Sequence, residues 1–201
     1  MRLSGGDRAR QNVSAPKGRK TRPTAAKVRE AMFAVLGRRV HGARVLDLFA
    51  GSGALGFEAI SRGAASVVFV DNDGAAAFAI RRNALHLIED EDRWRILPMQ
   101  ATRALRTLRG TFDVILIDPP YERGAADELA LLMQRGLLAP DGIAVVEHRS
   151  KETLALPTSM KLIKTSKYGD TSLTFAGVRT ERELQASERS ADDGRPRSPR
   201  S

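Results

Sequence analysis

The chain contains no cysteine. That absence excludes a thiolate nucleophile, a thiolate zinc site and an iron–sulfur cluster. Histidine is nearly as scarce. His41, His86 and His148 are scattered without metal-ligand spacing, so no metal site is expected. No apolar run approaches the roughly 20 residues of a membrane span. The opening MRLSGGDRARQ lacks the apolar centre of a signal peptide, and a cytoplasmic protein is the expectation. Acidic residues are almost missing from the first 29 positions, which hold one Asp against nine Lys/Arg. The last 22 residues carry five of each sign, and residues 30–179 carry 19 basic and 18 acidic side chains. The net charge of +9 is therefore an N-terminal feature. A basic arm on a near-neutral body points to a polyanionic partner, most simply nucleic acid.

With 201 residues, 42% of them hydrophobic and 28% charged, the chain is long enough for one soluble domain with a substantial core. Residues 1–22 read as a basic arm or a small hairpin, 23–179 as the main domain, and 180–201 as a disordered tail with too few apolar side chains to order itself. Between Ala43 and Val178 oily runs alternate with helical ones. Strands are expected over Arg44–Leu48, Ser66–Asp71, Arg93–Pro98, Phe112–Asp118 and Ile143–His148, several nearly continuous in Val, Ile, Leu and Phe, as parallel strands covered on both faces are. Ala101, Leu105 and Leu108 form one helical stripe, and Leu129, Leu132, Met133 and Leu137 another. Pro140-Asp141-Gly142 reads as a turn into the fifth strand. Lys161–Tyr168 and Ser172–Val178 flank Gly169-Asp170, a hairpin signal. Upstream, Thr24–Leu36 reads as a helix capped by Thr24. Five βα units and a final hairpin imply an α/β, Rossmann-like, mostly parallel sheet with an antiparallel C-terminal strand.

After the first strand comes Asp47-Leu48-Phe49-Ala50-Gly51-Ser52-Gly53-Ala54-Leu55-Gly56. Gly51, Gly53 and Gly56 satisfy G-x-G-x-x-G at a strand-to-helix turn, where glycine lets the backbone approach a ligand closely. Asp71, 20 residues past Gly51, stands where such sites hold ribose hydroxyls. A dinucleotide would set its pyrophosphate beside Asp47. At about 4 Å two like charges repel by roughly 4 kcal/mol at an effective dielectric near 20. S-adenosylmethionine carries no phosphate but an ammonium and a sulfonium, and an acidic residue ahead of the loop favours it.

The fourth strand ends in Asp118-Pro119-Pro120-Tyr121. Pro119 pushes Asp118 into an extended conformation, and two prolines fix the torsions that follow. Asp118 and the Pro119 carbonyl then form a pair of acceptors, with Tyr121 as a flat face on which a base can stack. The matching ligand is the exocyclic amine of a nucleobase, presented single-stranded or flipped out. Methylation at pyrimidine C5 needs a covalent nucleophile, which a chain without cysteine lacks.

Together these residues resemble the bacterial family of 16S ribosomal RNA guanine-N2 methyltransferases, the RsmD family. The resemblance runs from Met1 to about Val178. Its marks are Arg22-Pro23-Thr24 with Val28-Arg29-Glu30, LDLFAGSGALGFEAISRGA at 46–64, IDPPY at 117–121, and Tyr168-Gly169-Asp170-Thr171. It implies a seven-stranded S-adenosylmethionine-dependent methyltransferase fold and methyl transfer to a guanine N2 in small-subunit rRNA, within an assembling subunit. It implies that Asp47, Phe49, Gly51, Ser52, Gly53, Asp71, Asn72, Gln100 and Ala101 hold the cofactor, and that Asp118, Pro119, Pro120 and Tyr121 are catalytic. Arg10, Arg22, Pro23, Thr24 and Arg29 would lie toward the RNA. The opening Gly5-Gly6-Asp7-Arg8-Ala9-Arg10 carries Ala9 where the family commonly has glycine. A monomer is expected. Two other readings stay open on the residues: an adenine-N6 DNA methyltransferase, which shares Asp-Pro-Pro-Tyr, and a non-catalytic RNA-binding assembly factor on the same fold.

Overall fold

A computed structural model of the protein describes residues 1–14, 23–120 and 124–185. Its strands are Arg44–Leu48 (β1), Ser66–Asp71 (β2), Trp94–Pro98 (β3), Phe112–Ile117 (β4), Leu138–Arg149 (β5), Met160–Tyr168 (β6) and Thr171–Val178 (β7). Its helices are Pro23–Leu36 (α1), Ala54–Ser61 (α2), Gly74–Leu87 (α3), Ala101–Thr107 (α4) and Ala126–Gln134 (α5). The strands form one sheet in the order β3-β2-β1-β4-β5-β7-β6. The first five are parallel, while β7 runs antiparallel to both β5 and β6. This is the expected Rossmann-like, seven-stranded methyltransferase architecture. The order reverses between β1 and β4, so a crevice opens at their carboxyl ends, where ligands bind in such sheets.

Two-residue alternation splits the core in two. Val45, Val67, Phe69, Val114, Leu116 and Val145 pack with Met32, Phe33 and Phe57 on the α1–α3 side. Leu46, Leu48, Val70, Ile115, Ile117 and Val146 pack with Leu105, Leu129 and Leu132 on the α4–α5 side. Because both faces are covered, the central strands read as unbroken apolar runs.

Several boundaries differ from the sequence expectation. The first helix begins at Pro23, a residue whose fixed φ suits the first helical position, so Thr24 lies inside it rather than capping it. Arg93 belongs to a short 3-10 turn before β3. β4 ends at Ile117, leaving Asp118 just beyond it. Pro140-Asp141-Gly142 lies within β5 instead of before it. Phe112 pairs with Leu138 but Val114 with Ile143, so the proline falls in an irregular stretch, where its missing N–H breaks no regular ladder. Residues 181–185 form a helical turn instead of joining a disordered tail. Thr180 and Glu183 cap each other, and Lys161 Nζ reaches Glu183 Oε1 at 2.8 Å. The remainder of the tail, 186–201, lies outside the described residues.

Residues 1–14 make a small hairpin. Arg2 bridges Asn12, Leu3 N–H donates to Gln11 O at 3.0 Å, and Arg10 N–H donates to Leu3 O at 2.9 Å. Leu3 and Val13 are buried in the α1–α3-side core. The hairpin is therefore anchored to the domain. Of the basic residues expected in the arm, Lys17, Arg19 and Lys20 lie outside the described residues.

Candidate active site

Four carboxylates line the carboxyl edge of the sheet. Asp71 ends β2, Asp47 is the penultimate residue of β1, Asp118 follows β4, and Glu147 lies near the end of β5. In sheet order they form a row: Asp71, Asp47, Asp118, Glu147. Alternation puts them on one face. Leu46 and Leu48 enter the α4–α5-side core, so Asp47 between them projects to the other side. The same holds for Asp71 after Val70 and Glu147 after Val146; the β7 partner of Glu147, Leu173, sits in the α1–α3-side core.

Asp47 lies deeper than a ligand-facing group was expected to. It is 1% exposed, and its Oδ2 accepts the Gly56 N–H at 2.9 Å. Burial pushes its carboxyl up to about 8, opposed by the Gly56 hydrogen bond and reinforced by the charges of Asp118 and Asp71. A carboxyl raised in the fold from 3.8 binds its proton more tightly folded than unfolded. Its contribution to stability is present at low pH and is lost as pH rises toward about 8. Asp47→Asn should reduce the fall of unfolding free energy with pH in that window by up to about 1.4 kcal/mol per pH unit. Denaturant titrations across the window check this, and an unchanged slope would refute it.

Asp71 is committed to backbone on both oxygens. Oδ2 accepts from Gly51 N–H at 2.7 Å and Oδ1 from Asp73 N–H at 2.9 Å. Each oxygen keeps a second lone pair that can accept a further hydrogen bond. Its Gly51 bond ties the glycine loop to the end of β2. The loop starts at Phe49, a non-glycine residue with φ of 63°. Backbone strain of this kind, on the order of 1–3 kcal/mol, collects at functional loops.

Two of the three glycines have a packing reason that differs from the one expected. A Cβ on Gly53, where φ is 78°, would meet the Phe57 ring at 2.6 Å. One on Gly56 would collide with the Phe69 ring. Gly56 lets α2 lie close on β2, while Gly53 leaves room for the Phe57 ring of α2 and Ile80 of α3. Ser52 is tied in through its carbonyl, which accepts from Asn83 Nδ2 at 3.4 Å. The Asn83 side chain also exchanges hydrogen bonds with Ser14 of the hairpin. Asn72 is exposed just before the Asp73 cap of α3. Gln100 is exposed and begins α4 without using its amide as a cap, followed by buried Ala101.

Asp118 is exposed and its N–H points to Leu48 O at 3.5 Å, which keeps it in line with the sheet edge. Pro119 is buried and Pro120 exposed. Pro119 and Glu147 border one cavity of about 170 Å³ with Ala125, Val146 and Leu154. Tyr121 and Arg22 lie outside the described residues, as do the side chains of Pro23 and Thr24. Arg10 is exposed on the hairpin, with φ of 70°.

Arg29 is the clearest correction. Expected to face the RNA, it is 5% exposed. Its Nε lies 3.3 Å from Glu58 Oε2, and its Nη2 donates to Arg2 O at 2.8 Å. Burial pushes Glu58 up, but the Ser4 N–H and hydroxyl and Arg62 outweigh it and hold the carboxyl below its usual range. This buried network fastens the hairpin to α1 and α2. Glu58, Asn83 and Glu147 were not singled out in the sequence. Glu58 and Asn83 sit within helices as ordinary polar letters, and only tertiary packing brings them to the hairpin. Glu147 carried a faint signal, a lone acid ending an apolar strand.

Topology, the glycine loop and the carboxylates at the switch point together define a methyltransferase fold class. The family described as Conserved hypothetical protein 95 matches residues 1–177, and the chain belongs to that family, the RsmD family. It is 33% identical over 159 residues to the Ribosomal RNA small subunit methyltransferase D of Escherichia coli (strain K12), covering 79% of this chain and 78% of that protein. It is 32% identical over 146 residues to the protein of the same name in Haemophilus influenzae, covering 71% and 76%. Among solved structures, the yhhF protein of Escherichia coli superposes with a TM-score of 0.80 at 28% identity, covering 90% of this chain and 99% of that one. A conserved hypothetical protein of Streptococcus pyogenes superposes with a TM-score of 0.68 at 34% identity, covering 75% and 95%. Among the described residues no helix is long and apolar enough to cross a membrane, and no group of His, Cys, Asp or Glu is placed to hold a metal ion.

Proposed function

We propose that this protein is an rRNA methyltransferase that moves a methyl group from S-adenosylmethionine to the exocyclic N2 amine of a guanine in 16S rRNA, within an assembling small subunit. The row of carboxylates at the switch point carries the reading. Asp71 and Asp47, on the donor side of the row, make the crevice hospitable to a cation and hostile to a pyrophosphate, which fits a ligand bearing an ammonium and a sulfonium. The relatives named Ribosomal RNA small subunit methyltransferase D support rRNA as the acceptor.

Asp71 and Gln100 would hold the ribose and the adenine, and the glycine loop with Phe49 and Ser52 would lie against the cofactor. When bound, S-adenosylmethionine supplies an electrophilic methyl group. Asp47 would face its positive charge, which draws the buried carboxyl back to its ionised form. Asp118 and the Pro119 carbonyl accept the two N2 hydrogens of the base, and this turns the nitrogen lone pair toward the methyl group. Positioning of this kind can lower a barrier by about 7–11 kcal/mol. Asp118 also stands where N2 sheds a proton once it is alkylated. Exposed Arg10 meets the phosphate backbone.

Radiolabelled methyl transfer into small subunits from cells lacking the modification tests this. Mass spectrometry of the digested rRNA should find the label in N2-methylguanosine. Label in adenine, label in protein, or no transfer would overturn the reading.

A further inference from the structure

The row has a fourth member that methyl transfer to N2 does not use. Glu147 stands beyond Asp118 on the side away from Asp71 and Asp47, so it flanks the acceptor rather than the methyl donor. The register makes the neighbours explicit. Ile117 pairs with Val146, and the next residues on these parallel strands are Asp118 and Glu147. Adjacent strands lie about 4.8 Å apart. Among the described residues, no hydrogen bond or ion pair reaches the Glu147 carboxyl.

We propose that Glu147 is a positioning and specificity residue that reads the N1–H and O6 edge of the target guanine while Asp118 grips N2. This rests on the proposed function and extends it to base choice. N2, N1 and O6 follow one another along a single edge of guanine, as Asp118 and Glu147 follow one another along the sheet. A neutral carboxylic acid presents one donor and one acceptor, the complement of O6 and N1–H. Burial first, and the charge of Asp118 second, push the Glu147 carboxyl up to about 8, which favours its neutral form at neutral pH. Among the described residues, the other ionisable groups that alternation sets beside Glu147 on that face are Arg149, two residues on, and Lys164 and Tyr168 of β6. Arg149 is exposed and lies 3.9 Å from Glu152, whose charge it faces.

Glutamine presents the same donor–acceptor pair without a titratable proton. Glu147→Gln should therefore keep activity near that of the native enzyme at neutral pH. The native kcat/KM should fall as pH rises through about 8, while the Gln variant stays level. Ionisation of the base is common to both and cancels in their ratio. Glu147→Ala should lose about 100-fold in kcat/KM. The decisive probe is small-subunit rRNA with 2-aminopurine at the mapped position, which keeps the N2 amine but lacks N1–H and O6. The native enzyme should disfavour it by about 100-fold, and Glu147→Ala should treat it like guanine. Calorimetric S-adenosylmethionine affinity equal to that of the native protein would show that each variant is folded. Identical pH profiles for native and Gln enzymes, or unaltered discrimination in the Ala variant, would overturn the inference. Mapping of the methyl group away from guanine N2 would instead remove the functional reading beneath it, before any variant is made.

Discussion

Replacing Asp118 with alanine is expected to abolish methyl transfer, by about 1,000-fold or more, with S-adenosylmethionine affinity changed by less than about threefold. The side chain is exposed and follows the end of β4, so its loss opens no cavity in the core. Asp47 and Asp71, on the donor side of the row, keep their backbone hydrogen bonds from Gly56 and Gly51. The charge of Asp118 helps hold both Asp47 and Glu147 above their ordinary values, so both carboxyls should titrate lower in the variant. That shift is a readout of folded structure independent of activity. Single-turnover transfer to rRNA, together with calorimetry of cofactor binding, checks the prediction. Activity within tenfold of the native enzyme would remove the amine-gripping role.

The second large effect is one of stability. Glu58→Ala should destabilise the protein by about 3–5 kcal/mol, because it leaves the buried Arg29 guanidinium without its counter-charge. It also removes the acceptors for Ser4 N–H at 2.8 Å and Ser4 Oγ at 2.7 Å, the bonds that dock the hairpin on α2. Amides paired across the hairpin, those of Leu3, Arg10 and Val13, should exchange faster than amides of β1 and β4. The variant should bind rRNA more weakly, since Arg10 is carried on the loosened hairpin. A loss below about 1 kcal/mol, or unaltered exchange at Leu3 and Val13, would show that the network does not anchor the hairpin.

The sheet was legible because β1, β2, β4 and β5 are covered on both faces and announce themselves as apolar runs. Asp47, Asp71 and Asp118 were legible because each stands at the end of such a run, where chain direction alone delivers it to the carboxyl edge. Arg29 was misread for the opposite reason. An arginine in a basic N-terminal stretch looks like a phosphate contact, and nothing nearby in sequence reveals that its partner is 29 residues away on α2. Gly53 stands at the expected turn, but Gly56 falls inside α2, and the Phe69 ring of β2 that requires glycine there is met only when α2 packs on the sheet.

Residue order alone was enough to establish the α/β class, the parallel sheet with its closing hairpin, and the placement of carboxylates at the ends of the first, second and fourth strands, because these depend on local periodicity and on chain polarity. Folding in three dimensions was needed to turn the basic N-terminus into a docked hairpin, to bury Arg29 against Glu58, and to set Glu147 beside Asp118. Those outcomes depend on strand order and on which charges lose their water, and neither is encoded by spacing along the chain.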